Sequence, residues 1–413
     1  MSDVLDAVRP YRRLFADPAL RGLAVADACA RLPQGMVSIA LLMVTAVHAS
    51  MLVAGLAVAG YALGQGITGP LRGRLADRYG LVRVAAVCGC GYSLALLGLL
   101  ITALAGAPAG VLITTAGAAG LMAPPLSPGM RGLWSVHAAG GLRRAAFAFD
   151  AVVFDLASIV GPALASALAV GISPAAALLV LLALTGAAIV ILGTRTRGTP
   201  LSGEPRTARA HQSFTALLRS GGFRRLLVTG AFVNVALSGT EVALTAYVRH
   251  HHALWAAGPL LAEVSVGSIA GSLILGARTP PAVKAANAAA DDRFFRLLAC
   301  YALGLTALTA AGLDAPLLAV AAPLAGLCLG SVLATLFSQA GSAAPPGSDT
   351  EAQGWLNSVM NGGASAGAAV AGLAAGNPVL ALGLAAAAAA VAAAVAAPGR
   401  PRRHARESSR PSP

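Results

Sequence analysis

The stretch Pro174–Gly193, PAAALLVLLALTGAAIVILG, carries no charged side chain and a single hydroxyl, Thr185. A helix rises 1.5 Å per residue, so about 20 apolar residues cross the hydrocarbon core of a bilayer, and this run has that length. Outward from it, similar runs recur near residues 20–47, 51–71, 82–104, 109–130 and 145–170 on one side. On the other they recur near 223–247, 254–276, 294–313, 316–338, 353–375 and 378–397. In lipid a spanning segment must satisfy its own backbone N–H and C=O groups, so these runs predict helices. The fold class expected is an all-α membrane protein with twelve transmembrane helices. Composition agrees: 57% of residues are hydrophobic and 11% charged, far from soluble usage.

A formal charge of +13 suggests nucleic acid in a soluble chain, but here the basic residues sit in the connections between apolar runs. They orient the helices, and the expected partner is the lipid bilayer, with no nucleic acid. With the N-terminus inside, all but Arg31 and Arg249 of the 29 Lys and Arg fall in loops or ends on the cytoplasmic side, including Arg131, Arg143 and Arg144. The loop before the eleventh run carries only Asp349 and Glu351, and acidic residues count little in this rule. Cys29, Cys88, Cys90, Cys300 and Cys328 lie in or beside apolar runs without metal-ligand spacing, so they are expected to be small buried apolar residues. The first run is too long for a signal-peptide core, and no cleaved targeting segment is expected.

The runs divide into six, a polar stretch and six more. The organisation expected is an N-terminal six-helix bundle at 1–193, a cytoplasmic linker at 194–222, a C-terminal six-helix bundle at 223–397 and a disordered basic cytoplasmic tail at 398–413. Two such pseudo-symmetric halves suit rocking about a central site. GPLRGR at Gly69–Arg74 and GSLILGAR at Gly271–Arg278 close the second run of each half in similar fashion.

The connection after the second run reads GRLADRYG, Gly73–Gly80, followed by Arg83. Gly73 and Gly80 are expected to allow a tight reversal, while Arg72, Arg74, Arg78 and Arg83 hold the loop in the cytoplasm. Asp77 stands alone among these arginines. It suits pairing with them, or accepting hydrogen bonds from the N-terminal amides of a neighbouring helix, and so latching one conformation. This loop resembles the signature of the major facilitator superfamily, Gly-x-Leu-Ala-Asp-Arg-x-Gly-Arg-Lys/Arg, with Gly73, Leu75, Ala76, Asp77, Arg78 and Gly80 in register. Leu81 and Val82 stand where the family has basic residues, and Arg83 follows one place later. The resemblance implies the twelve-helix fold of that family and a gating role for Gly73, Asp77, Arg78, Gly80 and Arg83 between outward-open and inward-open states.

ASIVGPALAS, Ala157–Ser166, places Gly161 and Pro162 at membrane depth among small residues, the chemistry of a packing hinge. It is similar to a reduced form of the superfamily's antiporter motif, Gly-x-x-x-Gly-Pro-x-x-Gly-Gly, and that resemblance implies export by proton antiport. A plain kinked helix explains the run equally well.

Carboxylates at membrane depth cost about 2.5 to 3.5 kcal/mol each on insertion scales, so they need a reason. Asp27, Asp155, Glu241 and Glu263 are the candidates, with Asp150 nearer the cytoplasmic start of the fifth run. A carboxylate exposed alternately to the two sides suits a proton carrier. Arg31 follows Asp27 by one helical turn, so those two also suit a simple pair. Asp155 has no basic residue within a turn and is the strongest proton carrier among them; a partner on another helix is the alternative. Asn234, Ser238 and Glu241 are spaced four and three apart and share a face, which lines a cavity or glues two helices. In the eleventh run Asn357 and Asn361, one turn apart, suit substrate contact, with Trp355 before them and Gly362, Gly363 and Gly367 after. His250, His251 and His252 point in different directions as consecutive residues and are not expected to hold a metal.

The function expected is secondary active transport of a small molecule by alternating access, with proton-coupled export ahead of proton-coupled uptake. A non-transporting receptor on the same scaffold is the alternative from another class. No enzyme activity or cofactor is expected: there is no HExxH, no GxSxG, and no GxxxxGK[ST] phosphate loop in a chain whose single lysine is Lys284. A monomer is expected, with a small-molecule substrate and protons as partners. Ala, Gly and Arg richness points to a GC-rich bacterium, and hence to its plasma (inner) membrane, with both termini cytoplasmic.

Overall fold

The structure, a computed structural model, describes residues 12, 14–138, 140–196, 216–250, 257–277, 286–311, 315–345, 348–374 and 376–397. The expected linker lies largely outside the described residues, and the tail and His251–His252 wholly so. Among the described residues regular structure is helical. In order the helices are α1 (Pro18–His48), α2 (Met51–Tyr79), α3 (Leu81–Leu104), α4 (Ala109–Met122), α5 (Leu126–His137), α6 (Gly140–Gly171) and α7 (Pro174–Thr196). A short α8 (Ala216–Arg219) precedes α9 (Gly221–His250), α10 (Ala257–Ala277), α11 (Ala286–Ala311), α12 (Ala315–Gly326), α13 (Leu329–Ala343), α14 (Asp349–Leu373) and α15 (Pro378–Ala396).

Local chemistry explains the boundaries. Ser50 caps α2 by accepting from the Val53 amide, and Asn377 caps α15 with Pro378 at its first turn. Gly80, at φ 89°, ends α2 and lets α3 begin one residue later, a backbone region costly for residues with a Cβ. Pro124 and Pro125 separate α4 from α5, because proline cannot donate to the helical ladder. Pro323 lies near the α12–α13 break in the same way.

Each apolar run of the sequence thus coincides with one helix, or with a pair broken near proline. Nine segments among the described residues are long and apolar enough to cross a membrane by length and composition, with Ala109–Ser135 and Val320–Ala343 each counted through its break. Packing repeats along the chain. α1 packs on α6 and α7 as α9 packs on α14 and α15; α2 meets α4 as α10 meets α12, and α3 meets α7 as α11 meets α15. Large apolar side chains such as Leu63, Ile67, Val87, Leu94, Val170 and Leu373 face outward, as a lipid-facing belt requires. The cysteines depart from expectation: Cys88 alone is buried, while Cys90 and Cys300 are exposed. A lipid-facing surface is apolar, so a thiol there needs no burial in protein.

The first and second sets of helices meet through α2–α14, α5–α14, α6–α10 and α6–α13. Close approach within a set depends on missing side chains: a Cβ on Gly161 would stand 2.6 Å from the backbone of Gly35, which ties α6 to α1. α6 runs unbroken through Pro162.

Candidate substrate and coupling site

Three polar assemblies stand out. The first lies at the far end of α2, past its apolar span, where α2 meets α14. The carboxylate of Asp77 accepts from the backbone amides of Thr350 (3.0 Å) and Glu351 (2.7 Å), the first turn of α14. Those amides have no partner within their own helix, and the helix dipole favours an anion there. Burial pushes Asp77 up to about 7; the hydroxyl and amide of Thr350 and the amide of Glu351 pull the other way, and nearby Asp349 adds to the rise. Beside it Ser135 donates to Asp349 (2.6 Å), and Arg143 donates to the Ser338 carbonyl (3.4 Å).

Gly73 corrects its expected role. It lies inside α2, and a Cβ there would stand 2.5 Å from the Thr350 carbonyl oxygen, so its task is to let α14 approach while Gly80 makes the reversal. Arg72 also leaves the loop: it is buried in α2 and donates to the Gln65 carbonyl (2.8 Å). Arg78 is exposed and stacks over Tyr79. Arg83 is in the first turn of α3 and exposed.

The second assembly is a buried ion network joining α1, α5 and α6. Arg31 bonds Asp27 (3.3 Å), Asp150 and the Ser127 hydroxyl (2.7 Å), and Arg131 bonds Asp150 (2.9 Å). The Trp134 indole donates to Asp27 (3.1 Å), and Ser127 donates to Gln34. The Arg131 guanidinium also lies over the Phe337 ring of α13, 3.3 Å from its centroid. All four charged residues are at most 2% exposed, and two acids face two bases.

The third assembly is a cavity of about 270 Å³, near the lower end of the ~300–1,000 Å³ typical of small-molecule sites. Its polar lining is Asp155 and Ser158 of α6, Thr240 and Glu241 of α9, Ser265 and Ser268 of α10, and Tyr301 of α11. Apolar side chains of these helices and of α12 and α13 complete the wall, and no lining residue is Lys, Arg or His. Asp155 is 7% exposed and its Oδ2 has no hydrogen-bond partner; Glu241 is exposed to the space.

The structure therefore brings Asp155 and Glu241 together and sets Asp27 and Arg31 in a different place. Asn234, Ser238 and Asn357 are half-buried outside the cavity's lining. Asn361 reaches Gln65 of α2 at 3.5 Å. Glu263 is half-buried, with Oε2 unpartnered, and is also outside the lining. Among the described residues no group of three or more His, Cys, Asp and Glu is placed to hold a metal.

Sequence reasoning missed Arg131, Trp134, Ser127, Gln34 and the centrality of Asp150. The charge rule puts Arg131 in a cytoplasmic loop, but α5 continues to His137 and draws it into the network. The available signal was the pairing of two membrane-depth bases, Arg31 and Arg131, with two acids.

Two sets of helices with repeated packing, joined at one end by the Asp77 contacts to α14, and an acidic cavity suit a membrane transport protein. The chain belongs to the major facilitator superfamily, which matches residues 23–290. It is accordingly a secondary transporter of a small molecule and not an enzyme. No curated protein matches the sequence. Among solved structures it is similar to the human organic anion transporter TETRAN, with a TM-score of 0.71 and 16% identity over 93% of this chain and 99% of that one. A bacterial homologue of the iron transporter ferroportin, in an outward-facing state, gives 0.71 and 16% over 92% and 97%. The E. coli fucose:proton symporter gives 0.70 and 13% over 92% and 97%.

Proposed function

We propose that this transporter exports a small molecule against protons by alternating access, in the inner membrane of a bacterium, with residues 1–193 and 223–397 rocking as two halves. The observation that carries this reading is the cavity shared by Asp155 and Glu241, two carboxylates at membrane depth with no basic residue in the surrounding wall. Such groups are costly to keep ionised and unpaired, so a cation or a proton must be at hand to neutralise them. Exchanging that proton as the cavity opens to alternate sides couples flux to the gradient. The fucose:proton symporter among the structural neighbours lends support to a proton as the coupling ion. Export is favoured by the Gly161–Pro162 resemblance.

In this reading Asp77, Gly73, Arg78, Gly80 and Arg83 form the cytoplasmic gate, and the capped α14 corresponds to an outward-facing state, as in the ferroportin homologue. Asn234, Ser238, Asn357 and Asn361 line the route opened when the halves part. The four-residue network of Asp27, Arg31, Asp150 and Arg131 holds α1, α5 and α6 as one body beside that route.

Reconstitution in proteoliposomes with an imposed pH gradient and a chemically mixed panel of solutes tests the reading. Wild-type flux should follow the gradient, and its driving sign decides export against uptake. Asp155→Asn should abolish the proton-linked component while the protein remains folded. Unchanged pH-driven flux in that variant would refute the assignment.

A further inference from the structure

The cavity that the proposed function uses for protons also has the chemistry of a binding site for one class of cargo. Asp155 and Glu241 give it two acidic groups and no counter-ion. A second feature, a buried hydroxyl beside them, points the same way. Ser268, fully buried on α10 and part of the lining, sets its hydroxyl beside the Asp155 carboxylate, at the edge of hydrogen-bonding range, and has no other partner. Buried polar atoms are nearly always satisfied, and one left alone is destabilising. Here a carboxylate oxygen and the lone pairs of a hydroxyl beside it are left without a donor in a space large enough for a ligand. Tyr301 adds an aromatic ring and, with the apolar remainder of the wall, suits a hydrocarbon body.

A metal ion fits poorly, because the two carboxylates have no third ligand of the His, Cys, Asp or Glu type among the described residues. An anion fits worse, since it would meet two like charges. A quaternary ammonium would answer the charge but leave the acceptor oxygens without a donor.

We infer that the cavity binds an organic ammonium ion bearing N–H donors, a primary or secondary amine on a compact apolar body, with Asp155 and Glu241 as counter-ions and the Ser268 hydroxyl as a further acceptor. This rests on the transport reading above and gives that site its substrate class. Cargo and proton then answer the same carboxylates, so the arrival of one displaces the other.

The test is equilibrium dialysis of the purified full-length protein in lipid nanodiscs at pH 7.5 against three radiolabelled probes of similar body. These are 2-phenylethylamine, its N,N,N-trimethyl analogue and 3-phenylpropionate. The amine should bind saturably, the trimethyl analogue at least tenfold more weakly, and the carboxylate not at all. Asp155→Asn and Glu241→Gln should each weaken amine binding tenfold or more. Ser268→Ala, a change that any helix tolerates, should weaken it several-fold and so guards against variants that fail to fold. The inference is overturned if the amine does not bind, if the carboxylate or the trimethyl analogue binds as well as the amine, or if the acidic variants bind it undiminished. Proton flux in proteoliposomes separates the two levels. Proton-linked transport of other cargo without amine binding removes this inference alone, while amine binding without proton-linked flux removes the coupling reading alone.

Discussion

Two acidic regions lie close together in this protein and are built on opposite plans. In the network of α1, α5 and α6, Asp27 and Asp150 meet Arg31, Arg131 and Trp134, and each carboxylate has two donors. In the neighbouring cavity Asp155 keeps an oxygen with no partner, and Glu241 faces open space. Phe154 stands between them, with Arg31 5.9 Å from its ring centroid on one side and the cavity on the other. The contrast separates charge that builds the protein from charge that waits for a ligand. A compensated pair is rigid and has nothing to exchange, whereas an uncompensated one changes its state when a proton or cargo arrives.

Breaking the compensated region should give the largest effect. Arg131→Ala leaves Asp150 with Arg31 alone and opens a space against Phe337, so a loss of about 3–5 kcal/mol is expected. Thermal inactivation in detergent should show it as a steep drop in the midpoint. Replacing both partners, Arg131→Gln with Asp150→Asn, should restore most of that loss. If the double variant is no better than the single one, the network is not what stabilises the bundle.

The uncompensated region should respond the other way. Asp155→Asn removes a charge that nothing in the fold offsets, so the thermal midpoint should stay level or rise while pH-driven flux is lost by tenfold or more. A variant that both unfolds and stops would place Asp155 with the structural acids and erase the contrast. Asp27→Asn sharpens it further: it should lower stability through the lost Arg31 and Trp134 bonds.

What was legible in the sequence follows from range. Apolar runs of membrane length and the Asp77 motif are local patterns, and they mark the helices and the turn between α2 and α3. The amides that Asp77 caps are 273 and 274 residues away, beyond any spacing argument. Glu241 was visible as a membrane-depth acid, but its face was placed one stripe away: Asn234 and Ser238 were grouped with it, whereas Leu237, Thr240 and Leu244 share its cavity. A helical stripe spans roughly 100°, and Glu241 sits where two stripes overlap. Arg131 was hidden because a charge near a helix end looks the same whether it faces water or a buried acid.

The proposed gate offers smaller and more graded tests. Gly73→Ala sets a Cβ 2.5 Å from the Thr350 carbonyl oxygen and 3.0 Å from the Glu351 Cα, contacts that only a shift of α14 relieves. Overpacking of this kind costs about 1–3 kcal/mol, charged only to the closed state. Spin labels at Tyr79 and Ser342, both exposed at that end, should report a longer distance in a larger share of molecules. An unchanged distance distribution would show that α14 gives way without opening the gate.

The smallest effect is the pH response of that same closure, and its sign is the informative part. Hydrogen bonds from α14 favour the charged form of Asp77, but burial outweighs them, and the group rests at about 7, well above the ordinary carboxylate value of 3.8. The closed state therefore binds a proton more tightly than an open state in which Asp77 is hydrated. Closure gains its full advantage below about pH 4 and loses it progressively as pH rises to about 7. A fully buried acid would change the equilibrium by about tenfold per pH unit; Asp77 is only half-buried, so about twofold to fivefold is expected. The spin-label distances measured from pH 4.5 to pH 7.5 should lengthen toward the alkaline end in wild type and stay level in Asp77→Asn. Should wild type close as pH rises, the ionised carboxylate on the α14 amides outweighs burial, and the gate is an electrostatic cap that protons release rather than one they secure.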